Sequence, residues 1–483
     1  MNLWVAVKML SLITTIVSLS MLWPLAWAVA GGQGDGWALA ASIGLGLGIS
    51  ALLFFMGARR ESGWRAGVRE SFVVVSLSWA AASTVGALPY YIHGMAPTFA
   101  DAFFEAMSGF TTTGATILAD IEAQPSGLLF WRGLTHWIGG MGIIALSLAI
   151  LPFTGIGGMK LLKAEAPGLD RKKMTPRLHQ MALRLWGIYL LLTVAAAVLL
   201  LGGGMSLFDA LCHAFSAVAT GGFSPKNRSI GYYNSPYIEC VLVFFMFTSA
   251  VNYTLHYKFL RGDSRPYADD ELRLFSRIVI IAVAATTAVL YSNGLYTGVL
   301  ESLRYAAFQV VSVVTSTGFC TADYDAWPPF IHSVFIFLMV AGGCAGSTSG
   351  GIKSIRILVL ARHIRAGMTS ALHPRGVVRV RMGERAVRGD AVALASAFFV
   401  LYIAVLVAGA LFMAWLGLDF MSAFTSAAAA LGNTGPGLGA VGPARSYAAV
   451  PQAGKWALSL LMLLGRLELF SVAVLIMPDL WRR

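Results

Sequence analysis

Charge is what this sequence has least of. Only 12% of its 483 residues are Asp, Glu, Lys or Arg, against about 25% in an ordinary soluble domain. A chain this long can bury a large core, but so few charges cannot solvate its surface. That excludes a typical cytosolic enzyme and a disordered chain. Cysteine is scarce as well. Cys212, Cys240, Cys320 and Cys344 stand alone, without CxxC or Cys/His spacing, so neither disulfides nor zinc are expected. The histidines are scattered, and there is no P-loop or dinucleotide fingerprint, so no organic cofactor is expected. Apolar residues, at 57%, are what is abundant. They point to an all-α polytopic membrane protein surrounded by lipid. The formal net charge of +12 then needs no nucleic acid to explain it, because membrane proteins collect Lys and Arg on the cytoplasmic side.

Long apolar runs lie near 4–30, 37–57, 71–92, 128–152, 181–202, 236–257, 275–292, 330–350, 391–416 and 456–477, which predicts ten spans. The first resembles a signal peptide around Ala26-Trp27-Ala28, but it is long enough to span and reads as a retained helix. Four shorter, mixed segments, 98–113, 206–220, 298–316 and 419–433, read as re-entrant. With both termini cytoplasmic, 28 of the 35 Lys and Arg fall in inner segments and six outside, and Arg466 is left within a span. That is a strong positive-inside asymmetry. The outside carries Asp101, Asp120, Glu122, Asp209, Asp323, Asp325 and Asp419, which predicts an acidic entrance attractive to cations.

The four re-entrant segments repeat one another. Asp101–Thr116 and Asp209–Ser224 align without a gap, and Tyr305–Cys320 and Ser422–Gly437 follow the same frame. With Gly114, Gly222, Gly318 and Gly435 in register, Ala recurs at 102, 210, 306 and 423, and Ser at 108, 216 and 312. The glycines are spaced so that each interval holds one inner helix, one basic loop, one outer helix and the next re-entrant segment. The expected architecture is four pseudo-symmetric helix, pore helix, helix units around a central pore, behind a two-helix appendage. The expected boundaries are 1–68 for the appendage and 69–159, 160–262, 263–372 and 373–483 for the units. Non-helical backbone at membrane depth must line a cavity or be buried in protein. Gly can turn its carbonyl where a side chain would clash. Four such strands predict rings of carbonyl oxygens that replace the water of a dehydrated alkali cation. The alternative is ordinary close packing of small residues.

The residues at 109–116 (Gly-Phe-Thr-Thr-Thr-Gly-Ala-Thr), 219–224 (Ala-Thr-Gly-Gly-Phe-Ser), 315–319 (Thr-Ser-Thr-Gly-Phe) and 432–437 (Gly-Asn-Thr-Gly-Pro-Gly) resemble the four pore loops of the Trk/Ktr/HKT potassium transporter superfamily. Length and the N-terminal helix pair resemble its TrkH-type membrane subunits. The resemblance implies a potassium filter formed by Thr112, Thr113, Gly114, Thr220, Gly221, Gly222, Thr317, Gly318, Asn433, Thr434 and Gly435, with the potassium ion as substrate. In some plant relatives a Ser at the first-repeat position goes with sodium. Gly114 stands there, which implies potassium. Cys320 departs from the usual hydroxyl residue or Gly. The resemblance also implies a bacterial inner-membrane location, a homodimer and a cytosolic, nucleotide-binding TrkA-type ring. The basic segments 160–184 and 353–388 are the expected docking surface, unless they serve only as topology signals.

Five glycines between 342 and 351 will not hold a regular helix through mid-membrane. Gly342, Gly343, Gly346, Gly350 and Gly351 read as a mobile loop beneath the filter or as close packing. The resemblance implies the first, a gating loop over 341–351. Gly139-Gly140-Met141-Gly142 is a weak echo. Arg466 reads either as a structural partner of Glu468 or a carbonyl, or as a positive barrier in the pore. The resemblance favours the barrier. Glu105, His213, Gln309 and Ser426, each nine residues before its glycine, read as hydrogen-bond anchors of the short helices. The expected function is potassium uptake by channel-like conduction. Rival readings are a proton- or sodium-coupled symporter, sodium or ammonium selectivity, and a membrane enzyme.

Overall fold

The structure is a computed structural model describing residues 3–58, 68–150, 171–263, 268–375, 379–383 and 385–478. Its described residues form helices and connecting loops with one two-stranded hairpin, Arg381–Met382 paired antiparallel with Arg385–Ala386. Six helices among the described residues are long and apolar enough to cross a membrane. They are Ala6–Gly31, Gly36–Ala58, Phe72–His93, Gln180–Gly202, Asp270–Ser292 and Gly389–Trp415. The boundary expected at 159, the start of the basic segment 160–184 and the last two arginines lie outside the described residues.

The inner helices depart from the expected spans. The first, Ser126–Ile150, is continuous. The second breaks into Pro236–Ser249 and Tyr253–Leu260, bent by 101°. The third stops at Ala341, and chain resumes as helix Ser354–Leu372. The fourth runs Gln452–Arg466 and restarts at Phe470 after Glu468 and Leu469, both left-handed. Each break frees backbone groups that must find partners away from lipid, so the broken ends face inward.

The four short helices are Phe99–Phe110, Leu207–Ala219, Val299–Val314 and Phe420–Gly432. Three have side-chain N-caps. Thr98, Ser206 and Asp419 accept from the backbone N–H of Asp101, Asp209 and Ser422. The third starts at Gly298, and there Glu301 accepts from the N–H and hydroxyl of Thr297 at 3.0 and 2.7 Å.

The buried apolar residues form two main clusters. One joins the N-terminal pair to the first and last short helices, through residues such as Val17, Phe104 and Leu431. The other joins the second and third, through residues such as Phe245, Val313 and Met339. The appendage is fixed at the outer rim. Gln33 and Asp35 accept the backbone N–H groups of Ser126 and Leu128, at 2.6 and 3.2 Å. They cap the first inner helix, whose early N–H groups lack intrahelical acceptors.

Candidate ion pathway

Each short helix ends the same way. Thr112, Thr220, Ser316 and Asn433 take the left-handed conformation, with φ between +52° and +55°. The next residue's N–H reaches back five residues, from Thr113 to Ser108, Gly221 to Ser216, Thr317 to Ser312 and Thr434 to Ala429, at 2.8 to 2.9 Å. This is a Schellman closure, which satisfies the last helical carbonyls. Gly114, Gly222, Gly318 and Gly435 follow, with φ from +80° to +94°.

These glycines close on one another. A Cβ at Gly114 would lie 2.1 Å from the carbonyl oxygen of Gly221, and one at Gly222 would lie 2.0 Å from that of Thr317. One at Gly318 would lie 2.2 Å from that of Thr434, and one at Gly435 would lie 2.5 Å from that of Thr113. The order runs through the first, second, third and fourth strands and back to the first. Each glycine therefore packs on the carbonyl of the residue before the next glycine, and the four strands surround one axis.

Two of the strand hydroxyls are held by neighbouring side chains. The Thr113 hydroxyl pairs with that of Thr111 at 2.7 Å and accepts from the Asn433 amide at 3.0 Å. The Thr317 hydroxyl pairs with that of Thr315 at 2.8 Å. Gly221 leaves room for the His136 ring, whose Nδ1 lies 2.1 Å from where its Cβ would be. His136 is buried and carried no signal in the sequence.

The strands beyond the glycines are tied to their own helices. Glu105 accepts from the Thr116 hydroxyl and the Ile117 N–H, both at 2.9 Å, and pairs with Arg132 at 2.7 Å with both side chains buried. His213 Nε2 lies 3.0 Å from the Ser224 hydroxyl. In the orientation that satisfies both ends of its amide, the Gln309 oxygen accepts from the N–H groups of Thr321 and Ala322 at 2.8 and 3.1 Å, and its nitrogen donates to the Phe319 carbonyl at 3.2 Å. Ser426 differs from the expectation, since it bonds within its own helix, to Ala423. Thr425, one residue earlier, bonds both N–H and carbonyl of Leu438 instead. Two further groups hold the ring. The Tyr447 phenol donates to the Gly435 carbonyl at 2.8 Å, and the Cys320 thiol lies 3.5 Å from that of Gly318.

Above the glycines lies a cavity of about 320 Å³, lined by Gly114, Gly222, Gly318 and Pro436. Its charged lining residues are Arg132, Lys226 and Arg445, and no carboxylate lines it directly; Asp120 and Glu122 stand just behind, accepting from Asn227, which lines the cavity. Other outer acids have partners within the protein. Asp101 pairs with Lys455 at 2.6 Å, Asp209 with Lys226 at 3.8 Å, and Asp325 accepts from the Gly439 N–H. Asp120 accepts from the Asn227 side chain, which holds its carboxyl below the usual range.

Below the glycines lies the segment 342–353. The Thr220 hydroxyl donates to that of Thr348 at 3.3 Å, and the Ser316 hydroxyl meets that of Ser349 at 3.0 Å and accepts from the Gly350 N–H at 2.7 Å. A Cβ at Gly350 would lie 2.2 Å from the Gly432 carbonyl oxygen. The segment also completes the break in the second inner helix. Cys344 donates to the Ala250 carbonyl at 2.9 Å, and Tyr253 donates to that of Gly346 at 3.1 Å. Arg466 is buried and donates to the carbonyls of Thr348 and Gly139, at 2.6 and 3.2 Å. Its partners are carbonyls, and Glu468 pairs with Arg356 at 2.5 Å. The glycines at 139 and 140 are packing positions. A Cβ at Gly139 would lie 1.9 Å from the Phe110 carbonyl oxygen, and one at Gly140 would lie 2.9 Å from Ala219.

Four short helices whose ends close on one another, each carried between apolar helices, are the arrangement of a multi-pass membrane protein. A family model described as TrkH, cation transport protein, matches residues 49–482. The Trk system potassium uptake protein TrkH of Salmonella typhimurium is 41% identical over 480 residues, 98% of each chain. Its namesake in Escherichia coli K12 is 40% identical over the same share. The crystal structure of the potassium transporter TrkH from Vibrio parahaemolyticus superposes with a TM-score of 0.91 at 36% identity, covering all of both chains. The chain belongs to the TrkH family of cation transport proteins.

Proposed function

We propose that this protein takes up potassium across the bacterial inner membrane, with both termini cytoplasmic, by conduction through the strands at Gly114, Gly222, Gly318 and Gly435. The observation that carries the reading is the closed ring of glycine-to-carbonyl contacts. Four backbone strands closed on one another leave carbonyl oxygens to replace a cation's water. The short helices point their C-terminal ends, where the helix dipole is negative, at the space below. A membrane potential supplies about 2.3 kcal/mol per charge per 100 mV, so uptake needs no hydrolysis. The curated relatives carry the name Trk system potassium uptake protein, which supports potassium as the cargo.

The segment 341–351 with Arg466 acts in this reading as the gate. Its hydroxyls meet the left-handed residues directly above it, and the Arg466 guanidinium places a positive charge across the exit. The repeat boundaries at 69, 160, 263 and 373, a homodimer, and control by a cytosolic nucleotide-binding TrkA-type ring belong to the same proposal. Proton coupling finds less support. His213 and Glu468, the titratable candidates, are engaged by the Asp209 carbonyl and Ser224, and by Arg356.

The test is rescue of a potassium-uptake-deficient bacterium at low external potassium, with wild type and Gly222→Asp expressed equally. Rescue by wild type alone is the expected result. Rescue by both sinks the glycine ring as the filter. Rescue by neither, with a cognate cytosolic partner supplied, moves the assignment to sodium.

A further inference from the structure

Three consecutive acids open the outer helix of the third unit, on the side where the basic residues collect. Asp269 caps that helix, accepting from the N–H groups of Glu271 and Leu272 at 3.0 Å. The other two reach away from it. Glu271 is buried, 6% exposed. One of its oxygens, Oε1, accepts the N–H of Ala345 at 2.6 Å and the N–H of Ile355 at 3.1 Å. Ala345 stands near the start of the intramembrane segment, and Ile355 stands in the first turn of the helix that follows it. The Ile355 N–H is one of the donors that a helix start leaves unpaired. A single oxygen therefore staples the two ends of the loop together.

Asp270, on the same turn, faces the cytoplasmic hairpin. It pairs with Arg362 at 2.9 Å and accepts the Gly383 N–H at 2.8 Å. Arg362 in turn donates to the Arg381 carbonyl at 2.7 Å. Arg362 belongs to the helix that begins at Ser354. The hairpin, the helix below the loop and the loop's two ends thus meet at two adjacent carboxylates.

We infer that Glu271 is a positioning residue of the gate and that Asp270 makes the hairpin at 379–388 its handle. A cytosolic protein that shifts the hairpin pulls on Arg362 and its helix, and so on the two hydrogen bonds at Glu271. Burying a carboxylate is costly unless donors compensate it. Loss of either bond therefore favours release of the loop over a strained intermediate. The inference rests on the reading of 341–351 as the gate.

Cys344 provides the readout, because it adjoins Ala345 and is buried, 1% exposed. In full-length protein with Cys212, Cys240 and Cys320 changed to Ser, Cys344 is the one thiol left. The protein is reconstituted in liposomes without a cytosolic partner, and both maleimide labelling and rubidium flux are measured. Glu271→Ala is expected to speed labelling by about tenfold or more and to raise flux, as loss of two hydrogen bonds to the loop implies. Glu271→Gln keeps an acceptor oxygen and stays within about threefold of wild type. Glu271→Asp keeps the carboxyl but shortens the reach, and it falls between them. This gentler change keeps the test open if the alanine variant fails to fold. Asp270→Asn is expected to speed labelling by about threefold. Wild-type labelling in Glu271→Asp and Glu271→Ala overturns the staple. Wild-type labelling in Asp270→Asn overturns the handle. Faster labelling with unchanged flux leaves Glu271 holding the loop, but it removes the loop as the gate and with it this role for Glu271.

Discussion

The ring of glycines and the layer of inner helices below it are built from the same four units, yet they treat symmetry in opposite ways. In the ring, every unit presents the same backbone: a left-handed residue, a closure five residues back, and a glycine packed on its neighbour's carbonyl. In the layer below, no two units agree. One inner helix is continuous, one is bent by 101°, one is interrupted from 342 to 353, and one breaks at 467–469. The difference teaches where equality is useful. A cation stripped of water needs equivalent oxygens on all sides. A gate needs one element free to move while three stay in place.

The largest effect should come from breaking the upper symmetry. Alanine at Gly114, Gly222, Gly318 or Gly435 meets a backbone oxygen at 2.0 to 2.5 Å and a conformation costing roughly 1–2 kcal/mol. Uptake at low potassium should fall by about tenfold or more and to a similar extent at each site. One tolerant site would show that the ring is not equivalent. The anchors act on stability, and the buried Glu105–Arg132 pair is the strongest of them. Glu105→Ala should cost about 3–5 kcal/mol of stability, read as thermal unfolding in detergent. His213→Ala should cost about 1–3 kcal/mol. Ser426→Ala should cost about 0.5 kcal/mol or less, because Ser426 bonds only within its helix. Equal losses in the three would contradict the unequal anchors.

Changes in the lower layer should act in the other direction. Arg466→Gln removes one or both bonds to the Thr348 and Gly139 carbonyls, charge-assisted contacts worth about 1.5–3 kcal/mol each. Flux without a cytosolic partner should rise several-fold while ion preference is kept. A fall in flux would mean that Arg466 supports the pathway. Tyr447→Phe, a subtler change, takes one donor from the Gly435 carbonyl. About 1 kcal/mol should appear as a reduced preference for potassium over sodium, measured by competition.

The sequence disclosed the fourfold part well. The short helices start within one residue and stop within three of the segments expected from apolar length and the Gly-Thr ends. Their repeat is written in local residues, and capping and glycine conformation are local effects. The asymmetric part was legible only where glycine was dense, at 342–351. The bend at 250–252 left no such trace. Ser249-Ala250-Val251-Asn252 reads as ordinary span, and its carbonyls find their partners about a hundred residues away, at Cys344 and Thr348. The outer acids misled for a related reason. Sequence counts their charge, while structure commits Asp101 to Lys455 and Asp209 to Lys226. Position nine before the glycine predicted three anchors and missed the fourth, because the last strand hangs on Thr425.

The segment below the glycines is polar where it touches them. Thr348 and Ser349 meet Thr220 and Ser316 through hydroxyls that bond equally well to water. Withdrawing it exchanges partners and does not rupture a dry contact, so the vacated space fills with solvent. In the proposed gate, the conducting form must imbibe water that the resting form excludes. A polymer too large to enter competes for that water, and flux should decline as its concentration rises at fixed ionic strength. A pore gated in the proposed way would answer to water activity as well as to whatever grips its cytoplasmic face.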